Sequence, residues 1–511
     1  MEEIYLYDRK NIIKNGKINV WTAFAGCEAF ALSSLGYLWI YKIFDEMSDV
    51  NVERICSDTK STKIPIECVN LIAYSFSFDF DFLTFFQMFD KFKIPYKTKD
   101  RGENFPLICA GGPVVTSNPE PYKDIFDFFI IGDGEDITVE MTEILRDSSN
   151  CKKCEILHKL SKIEGVYVPY LSKTVTKRTK ELKECVYTPI LSEKAFFKNT
   201  FIVEVERGCA NCCGFCLASY LNLPVRCTDC DDLFNIIKTG LNKTNKIALL
   251  GAQISAHPNF SEICDYIKLR IDEGEEIEMN LSSIRIDAVK PNIIKALVAA
   301  GQKTTTMAIE AGSESLRKTI NKHVDESQIL NAVKIAAQNG LKGIKIYGMI
   351  GLPTETDSDI KALIELAKKI KNENKGFNIS FGFSTFVPKP HTPFQWFGRD
   401  SVKSLTQKIE YLKKEFSKLG IKTSFASPKW DYWQAVMSRG DSSLGDFIID
   451  VYKSGGKLGA FNKIAKKYSI DTEKLAQNCY DFSENFPWDF IEIKPGKEAL
   501  IRENNRLMNL N

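Results

Sequence analysis

The stretch FIVEVERGCANCCGFCLASY, residues 201–220, decides how this chain is read. Its first five residues, Phe201–Val205, form a short apolar run suited to a buried parallel strand. Just beyond it, Cys209, Cys213 and Cys216 follow the spacing C-x-x-x-C-x-x-C. With 15 cysteines in 511 residues, a chance match to that triple is expected about 0.01 times. Thiolate sulfur is the normal ligand of iron–sulfur clusters. Three ligands on a four-iron cube leave one iron open to bind and polarise a molecule. Cys212 opens a second reading, C-x-x-C-C-x-x-C, which offers four thiolates to a tetrahedral zinc ion. A zinc knuckle gives no reason for the cysteines to follow a strand, or for Phe215 to precede the last of them.

Working outward, strand signals recur downstream at Ile247–Leu250, Glu278–Leu281, Thr306–Ile309, Ile344–Tyr347 and Ile379–Ser384. Helical stretches lie between most of them, among them Pro291–Ala300, Glu326–Asn339 and Asp357–Lys371. This series predicts a full or partial β/α barrel over residues 199–395, with its chemistry at the carboxyl ends of the strands. Upstream, residues 1–150 also alternate strand and helix signals. Asn70–Ser77, Leu107–Ala110 and Asp127–Ile131 read as buried strands, and Phe82–Phe92 sets aromatics at helical spacing. Alternation of this kind predicts an α/β fold with a doubly wound parallel sheet, whose ligands bind beyond the strand ends. Two glycine turns fall at such ends, Gly111–Gly112 and Gly132–Asp133–Gly134. Val20–Tyr41 is apolar but is interrupted by Glu28 and diluted by glycine and serine, and it reads as a buried helix. Residues 151–198 read as a polar connector, and residues 396–511 as a mostly helical segment that closes the barrel mouth.

Composition bounds the rest. A chain of this length carries two or three domains. Lysine and arginine number 68 against 66 acidic residues, a net charge of +2. No whole-chain field therefore steers it to nucleic acid or an anionic membrane, although a local basic groove stays open. The odd cysteine count and irregular spacing do not describe a secreted disulfide framework. MEEIYLYDRK has neither a basic start nor an early apolar stretch, so a cytoplasmic protein without a secretory leader is expected. Four histidines leave little for His-based acid–base chemistry. The pairs Cys151/Cys154 and Cys227/Cys230 are candidates for a further metal site, or are ordinary thiols.

The cysteine spacing, with an aromatic residue before the last cysteine, resembles the signature of the radical S-adenosylmethionine (SAM) superfamily. That resemblance implies a [4Fe–4S] cluster on Cys209, Cys213 and Cys216, with SAM chelating the fourth iron and Phe215 near the adenine. It also implies reductive cleavage of SAM to a 5′-deoxyadenosyl radical. An electron donor such as flavodoxin or ferredoxin is needed. IEAGSESL, residues 309–316, resembles the family's Glu–Ser/Ala–Gly segment, which makes Glu310, Gly312 and Ser313 candidate SAM contacts. SSIRID, residues 282–287, offers Arg285 to the SAM carboxylate. IYGMIGLPTET, residues 346–356, resembles the segment that lines the adenine.

LICAGGPVVTSNPEPYKDIFDFFIIGDGE, residues 107–135, resembles the cobalamin-binding-type domain that precedes the radical core in one branch of the superfamily. FVPKPHTPFQW (386–396) and WQAVMSRGD (433–441) resemble a subgroup with a helical C-terminal extension. Cobalamin-dependent C-methylation is the reaction this implies, with Gly111, Gly112, Gly132 and Gly134 as candidate contacts to the corrin tail. The Asp-x-His-x-x-Gly motif that supplies a lower ligand to cobalt is absent. The first histidine of the chain is His158. The alternatives are radical chemistry without cobalamin, such as methylthiolation or rearrangement, and a non-catalytic metal-stabilised protein that binds RNA or ribosomes. The sequence names no substrate, no catalytic residue beyond the cofactor ligands, and no oligomeric state.

Overall fold

The computed structural model describes residues 3–9, 14, 16–148 and 151–509. The N-terminal sheet contains β1 (Ile18–Phe24), β2 (Val50–Cys56), β3 (Leu71–Ser75), β4 (Leu107–Gly111), β5 (Phe128–Ile130) and β6 (Val166–Tyr167). Its spatial order is β2-β1-β3-β4-β5-β6. The first five strands are parallel, and β6 runs antiparallel to β5. Both faces are covered, so successive residues of β4 enter different cores. Ile108 and Ala110 join the aromatic core of the Phe82–Lys91 helix, while Leu107 and Cys109 join that of the Leu35–Glu46 and Glu135–Arg146 helices. Burial on both faces explains the continuous apolar runs. The order reverses between β1 and β3, which opens a crevice beyond their carboxyl ends.

One expectation is corrected here. Val20–Tyr41 is not one helix: it holds the end of β1, a turn, the short Glu28–Ala31 helix and the start of Leu35–Glu46. Val20, Trp21 and Ala23 are all fully buried, because β1 is the second strand of the sheet and is flanked on both sides. A strand buried on both faces shows no alternation, and periodicity alone does not separate it from a buried helix. Among the described residues no helix is long and apolar enough to cross a membrane.

The central segment supplies two parallel sheets. One contains β7 (Thr200–Glu204), β8 (Lys246–Leu250) and β9 (Glu278–Asn280); the other contains β10 (Thr304–Glu310), β11 (Gly343–Ile350), β12 (Asn378–Thr385) and β13 (Lys422–Phe425). Between β9 and β10, Ile284 N donates to Thr306 O at 2.9 Å, and the Gln302 amide bonds both Leu281 N and Leu281 O. One apolar core runs beneath both sheets, from Phe201 through Met279 and Met307 to Phe381. The α/β series expected for a partial barrel is therefore present. β13 adds a strand from within the mostly helical C-terminal segment, pairing in parallel with β12.

The C-terminal helices lie in large part against the N-terminal sheet. Trp433, Phe447 and Phe461 share a core with Phe82, Phe85, Phe86 and Phe89, whose spacing gives their helix one aromatic face. Each such side chain contributes about 1.5–3 kcal/mol on burial. A polar latch adds specificity. Buried Asp79 accepts from Lys389 Nζ (2.9 Å), Gln434 Nε2 (2.8 Å) and Ser438 Oγ (2.9 Å). Asn118 Nδ2 donates to the carbonyls of Ser438 and Gly440. Trp433 is core, and Trp430 packs edge-on against Phe80 and Phe461.

Candidate active site

The loop Gly208–Cys216 begins where β7 and a two-residue ribbon, Glu206–Arg207 paired with Arg226–Cys227, end. Its conformation is fixed from several sides. Gly208 has φ +98°, and a Cβ there would stand 2.6 Å from Asn222 O. A side chain is excluded twice over, by backbone conformation and by space. A Cβ on Gly214 would stand 2.7 Å from the Phe394 ring. Gly214 N donates to Ile320 O (3.1 Å), and Phe394 N donates to Gly214 O (3.0 Å). Asn321 Nδ2 donates to the carbonyls of Asn211 (2.8 Å) and Cys212 (3.0 Å), and Tyr220 OH donates to Cys212 O (2.9 Å). Arg506, from the last helix, steadies Asn321 through a 2.9 Å bond to its Oδ1.

The three candidate ligands occupy different surroundings. Cys209 Sγ lies 3.1 Å from Gln253 Oε1 and accepts from Asn211 Nδ2 at 3.2 Å. Cys213 is 8% exposed; burial pushes its thiol up to about 12, and neighbouring Lys322 pulls it back. Cys216 and Cys209 act electrostatically on Cys213 and on Cys212 alike, so all four thiols share one neighbourhood. Cys212 has a left-handed backbone (φ +44°) and packs on the aromatic core of the N-terminal sheet. Among the described residues no three His, Cys, Asp or Glu side chains gather as ligands of a single ion. The two C-x-x-C pairs are free thiols.

Glu310 ends β10 with φ +63°, at an irregularity of register against β11. A left-handed glutamate at a strand end is strained. Its carboxylate pairs with Lys322 Nζ at 3.3 Å, which ties it to the surroundings of Cys213. Phe215 packs with Ala311, Met349 and Leu352, so the aromatic residue of the loop meets the segments after β10 and β11. Arg285 turns its Nε onto both carboxylate oxygens of Asp287 at 2.8 Å, and its backbone N donates to Ser255 Oγ. Gly312 and Ser313 have clear packing roles. A Cβ on Gly312 would lie 2.1 Å from Leu363 N, and Ser313 caps the Glu314–Thr319 helix and bonds Asp359.

Gly111, Gly112, Gly132 and Gly134 all line one cavity of about 570 Å3. It opens at the strand ends of the N-terminal sheet and continues between that sheet and its covering helices, past Ile40, Cys109, Thr138 and Met141. Its other wall is Glu206, Arg207, Gly208 and the turn Leu250–Ala252. Gly208, the first residue of the cysteine loop, thus faces the same space as the glycine turns, while Cys209, Cys213 and Cys216 lie outside its lining. Gly112 (φ +118°) and Gly132 (φ +105°) admit no side chain, since a Cβ would meet Phe76 O at 2.5 Å and Arg178 O at 2.1 Å. No histidine lines the cavity.

An ionic cluster holds the two walls together. Arg207 pairs with Asp133 (2.9 Å), Glu135 (3.0 Å) and Glu204 (2.7 Å), and Arg226 pairs with Asp133 (2.5 Å). Burial is the largest single influence on the Asp133 carboxyl and raises it, but the two arginines and the hydrogen bonds from Lys180 N and Arg226 together outweigh it and hold the carboxyl below the usual carboxylate range. Removing one partner of a buried network leaves its counter-charges unpaired. The Arg207→Met variant is therefore expected to lose about 3–5 kcal/mol of stability, read by denaturant unfolding.

Glu206 is 2% exposed, and burial raises its carboxyl to about 7; Gln253 N donates to it and pulls it back. An unfolded glutamate ionises near the ordinary value of 4.5, whereas this one keeps its proton to about 7. Across that window the unfolded chain binds fewer protons, so stability falls as pH rises. The Glu206→Gln variant escapes the loss. Its melting temperature is expected to gain on that of the parent between pH 5 and 7.5, as thermal unfolding at both pH values will read.

The sequence singled out the cysteines, Glu310 and the glycines as candidates; Lys322, Asn321, Gln253 and Arg207, which the structure sets beside them, were not among them. Arg207 and Glu206 stand beside the motif and were visible as charges at a strand end. Lys322 and Asn321 follow IEAGSESL closely, but nothing in the sequence aims them at the cysteine loop.

A glycine-cradled, three-thiol loop at the end of the first strand of a parallel series defines a radical SAM core. Two family descriptions match: "Radical SAM proteins, N-terminal" over residues 36–169 and "Radical SAM superfamily" over residues 203–367. The chain is 34% identical to an uncharacterized protein of Methanocaldococcus jannaschii over 381 residues, 73% of this chain and 80% of that one. It belongs to the radical SAM superfamily and is a radical SAM enzyme, with the [4Fe–4S] cluster and SAM that the family implies.

Among solved structures, the fold is similar to the cobalamin-dependent SAM radical enzyme OxsB with aqua-cobalamin and SAM bound. The TM-score is 0.57 at 12% identity, covering 96% of this chain and 79% of that one. It is also similar to the radical SAM methyltransferase TsrM from Kitasatospora setae (TM-score 0.53, 11% identity, 71% and 72% covered). The donor chemistry fits a cluster: three thiols on a rigid loop, one of them buried beside a lysine that favours its thiolate.

Proposed function

We propose that this enzyme is a cobalamin-dependent C-methyltransferase, built from the expected units: cobalamin-binding-like 1–150, connector 151–198, which lends β6 to the N-terminal sheet, radical core 199–395, and C-terminal segment 396–511, which lends β13 to the core. The observation that carries this reading is the cavity that joins Gly111, Gly112, Gly132 and Gly134 to Gly208 beside the cysteines. Cys209, Cys213 and Cys216 would hold the cluster, Phe215, Arg285 and Glu310 would hold SAM, and the glycine turns would admit the cobalamin tail. When bound, these groups supply a 5′-deoxyadenosyl radical and a transferable methyl group. The chain's own residues bind, orient and shield. Lys322 supplies positive charge beside Cys213 and Glu310. Phe215 and its apolar neighbours exclude water from one side of the loop. No histidine lines the cavity, so its residues would offer cobalt no imidazole.

Every described cysteine is a free thiol, which suits a reducing cytoplasm and a flavodoxin- or ferredoxin-type donor. The test is anaerobic reconstitution followed by cobalamin binding and SAM-cleavage assays. Retention of cobalamin together with SAM cleavage supports methylation. Cleavage without retention moves the enzyme to cobalamin-free radical chemistry, such as methylthiolation or rearrangement.

A further inference from the structure

A second cleft, of about 1030 Å3, lies beside the first cavity. Asn222 lines the first cavity, and the next two residues, Leu223 and Pro224, line the second. Its walls are mainly apolar, with Trp488, Ile493 and Leu500 from the C-terminal segment completing them. Three polar side chains in this lining are almost fully withdrawn from solvent: Lys177 (8% exposed), His391 (5%) and Gln395 (2%).

Lys177 carries the argument. Its ammonium donates to Leu221 O (2.9 Å) and Leu223 O (3.2 Å), which satisfies two of its three hydrogens. Among the described residues it forms no ion pair, and burial draws it below the usual lysine range despite the attraction of Asp133. The carboxylates around the cleft are already engaged. Asp489 pairs with Lys497 (2.7 Å), Glu164 with Arg178 (3.4 Å), and Glu492 accepts from the Thr176 hydroxyl (2.7 Å). A buried cation without a counter-ion is costly, and an incoming anion relieves that cost.

His391 adds a second polar feature. It sits at φ +57° and bonds Ser117 O through Nε2 at 3.0 Å. A carbonyl only accepts, so Nε2 carries the proton and Nδ1 is an acceptor. Burial lowers the imidazole to about 4, which keeps it neutral.

We propose that this cleft is a second ligand site, separate from the cluster cavity, for a molecule with an apolar body and one anionic head, with Lys177 as its counter-ion. This does not depend on cobalamin. Lys177 also holds the last carbonyl of the Leu217–Leu221 helix, which follows the cluster loop, so the ligand would bind one helix away from the chemistry.

The test is calorimetric titration of the reconstituted holoenzyme with octyl phosphate, octanoate and 1-octanol. At least one anion is expected to bind about tenfold or more tightly than the alcohol. The tighter of the two identifies the head as phosphate or carboxylate. The Lys177→Gln variant, which keeps a donor but removes the charge, is expected to bring that anion to within about twofold of the alcohol. Leu500→Trp, which leaves Lys177 and its bonds intact, is expected to weaken every probe about tenfold. No preference for an anion, a preference kept in Lys177→Gln, or undiminished binding in Leu500→Trp would each overturn the proposal. Should Lys177→Gln fail to fold, the anion preference of the parent and the Leu500→Trp result decide it.

Discussion

The Cys213→Ala variant is expected to lose its cluster: iron after anaerobic reconstitution falls from about four per chain to near zero, and SAM cleavage goes with it. Cys209→Ala and Cys216→Ala are expected to behave alike. Cys212→Ala is expected to keep most of its iron, although it is adjacent in sequence. The difference follows from where the two side chains point. Both thiols lie in the field of Cys209 and Cys216, but Cys213 is the one buried beside Lys322. Cys212 turns through a left-handed backbone and packs on the aromatic core. Iron analysis and the visible absorbance of the cluster read the result. If Cys212→Ala instead lost the metal, and zinc replaced iron in the parent, the four-thiolate alternative would hold.

The second large effect concerns the glycine-lined cavity. Gly134→Trp is expected to abolish cobalamin retention while iron content and SAM binding persist. Gly134 suits this test because its backbone is ordinary, and a Cβ there meets only Ile40 and Ile130 side-chain atoms, at 3.5 and 3.7 Å. The large ring would project into the cavity without backbone strain. Gly132 suits it poorly, since its positive φ and the Arg178 carbonyl forbid any side chain and the fold itself would suffer. Equilibrium dialysis with hydroxocobalamin reads the outcome. Retention equal to that of the parent would place cobalamin outside this cavity.

The sequence carried much of this architecture because the decisive features are local. Three cysteines at fixed spacing after an apolar run give both the cluster loop and the start of a strand series. Glycines at strand ends foretell where a ligand can approach. What stayed hidden is long-range. β1 is buried on both faces, so its pattern matched a helix as well as a strand. Arg207 reaches across to Asp133 and Glu135, 74 and 72 positions earlier, and such pairing leaves no local trace. Arg506 steadies the cluster loop from near the end of the chain. His391 was visible in a proline-rich turn, but its φ of +57° and its bond to Ser117 were not. The C-terminal segment was legible as helical. Its packing on the N-terminal sheet depends on aromatic faces that match only in three dimensions.

The central claim is that cobalamin works in the cavity that runs from the glycine turns to Gly208, where the cysteine loop begins. Electron paramagnetic resonance of the anaerobic holoenzyme loaded with cob(II)alamin tests it most directly. With the cobalamin tail drawn into the glycine-lined cavity and no histidine there to take its place, the expected spectrum is base-off, without nitrogen splitting. A spectrum with the nitrogen splitting of base-on cob(II)alamin would mean that the tail does not enter this cavity, and would contradict the account.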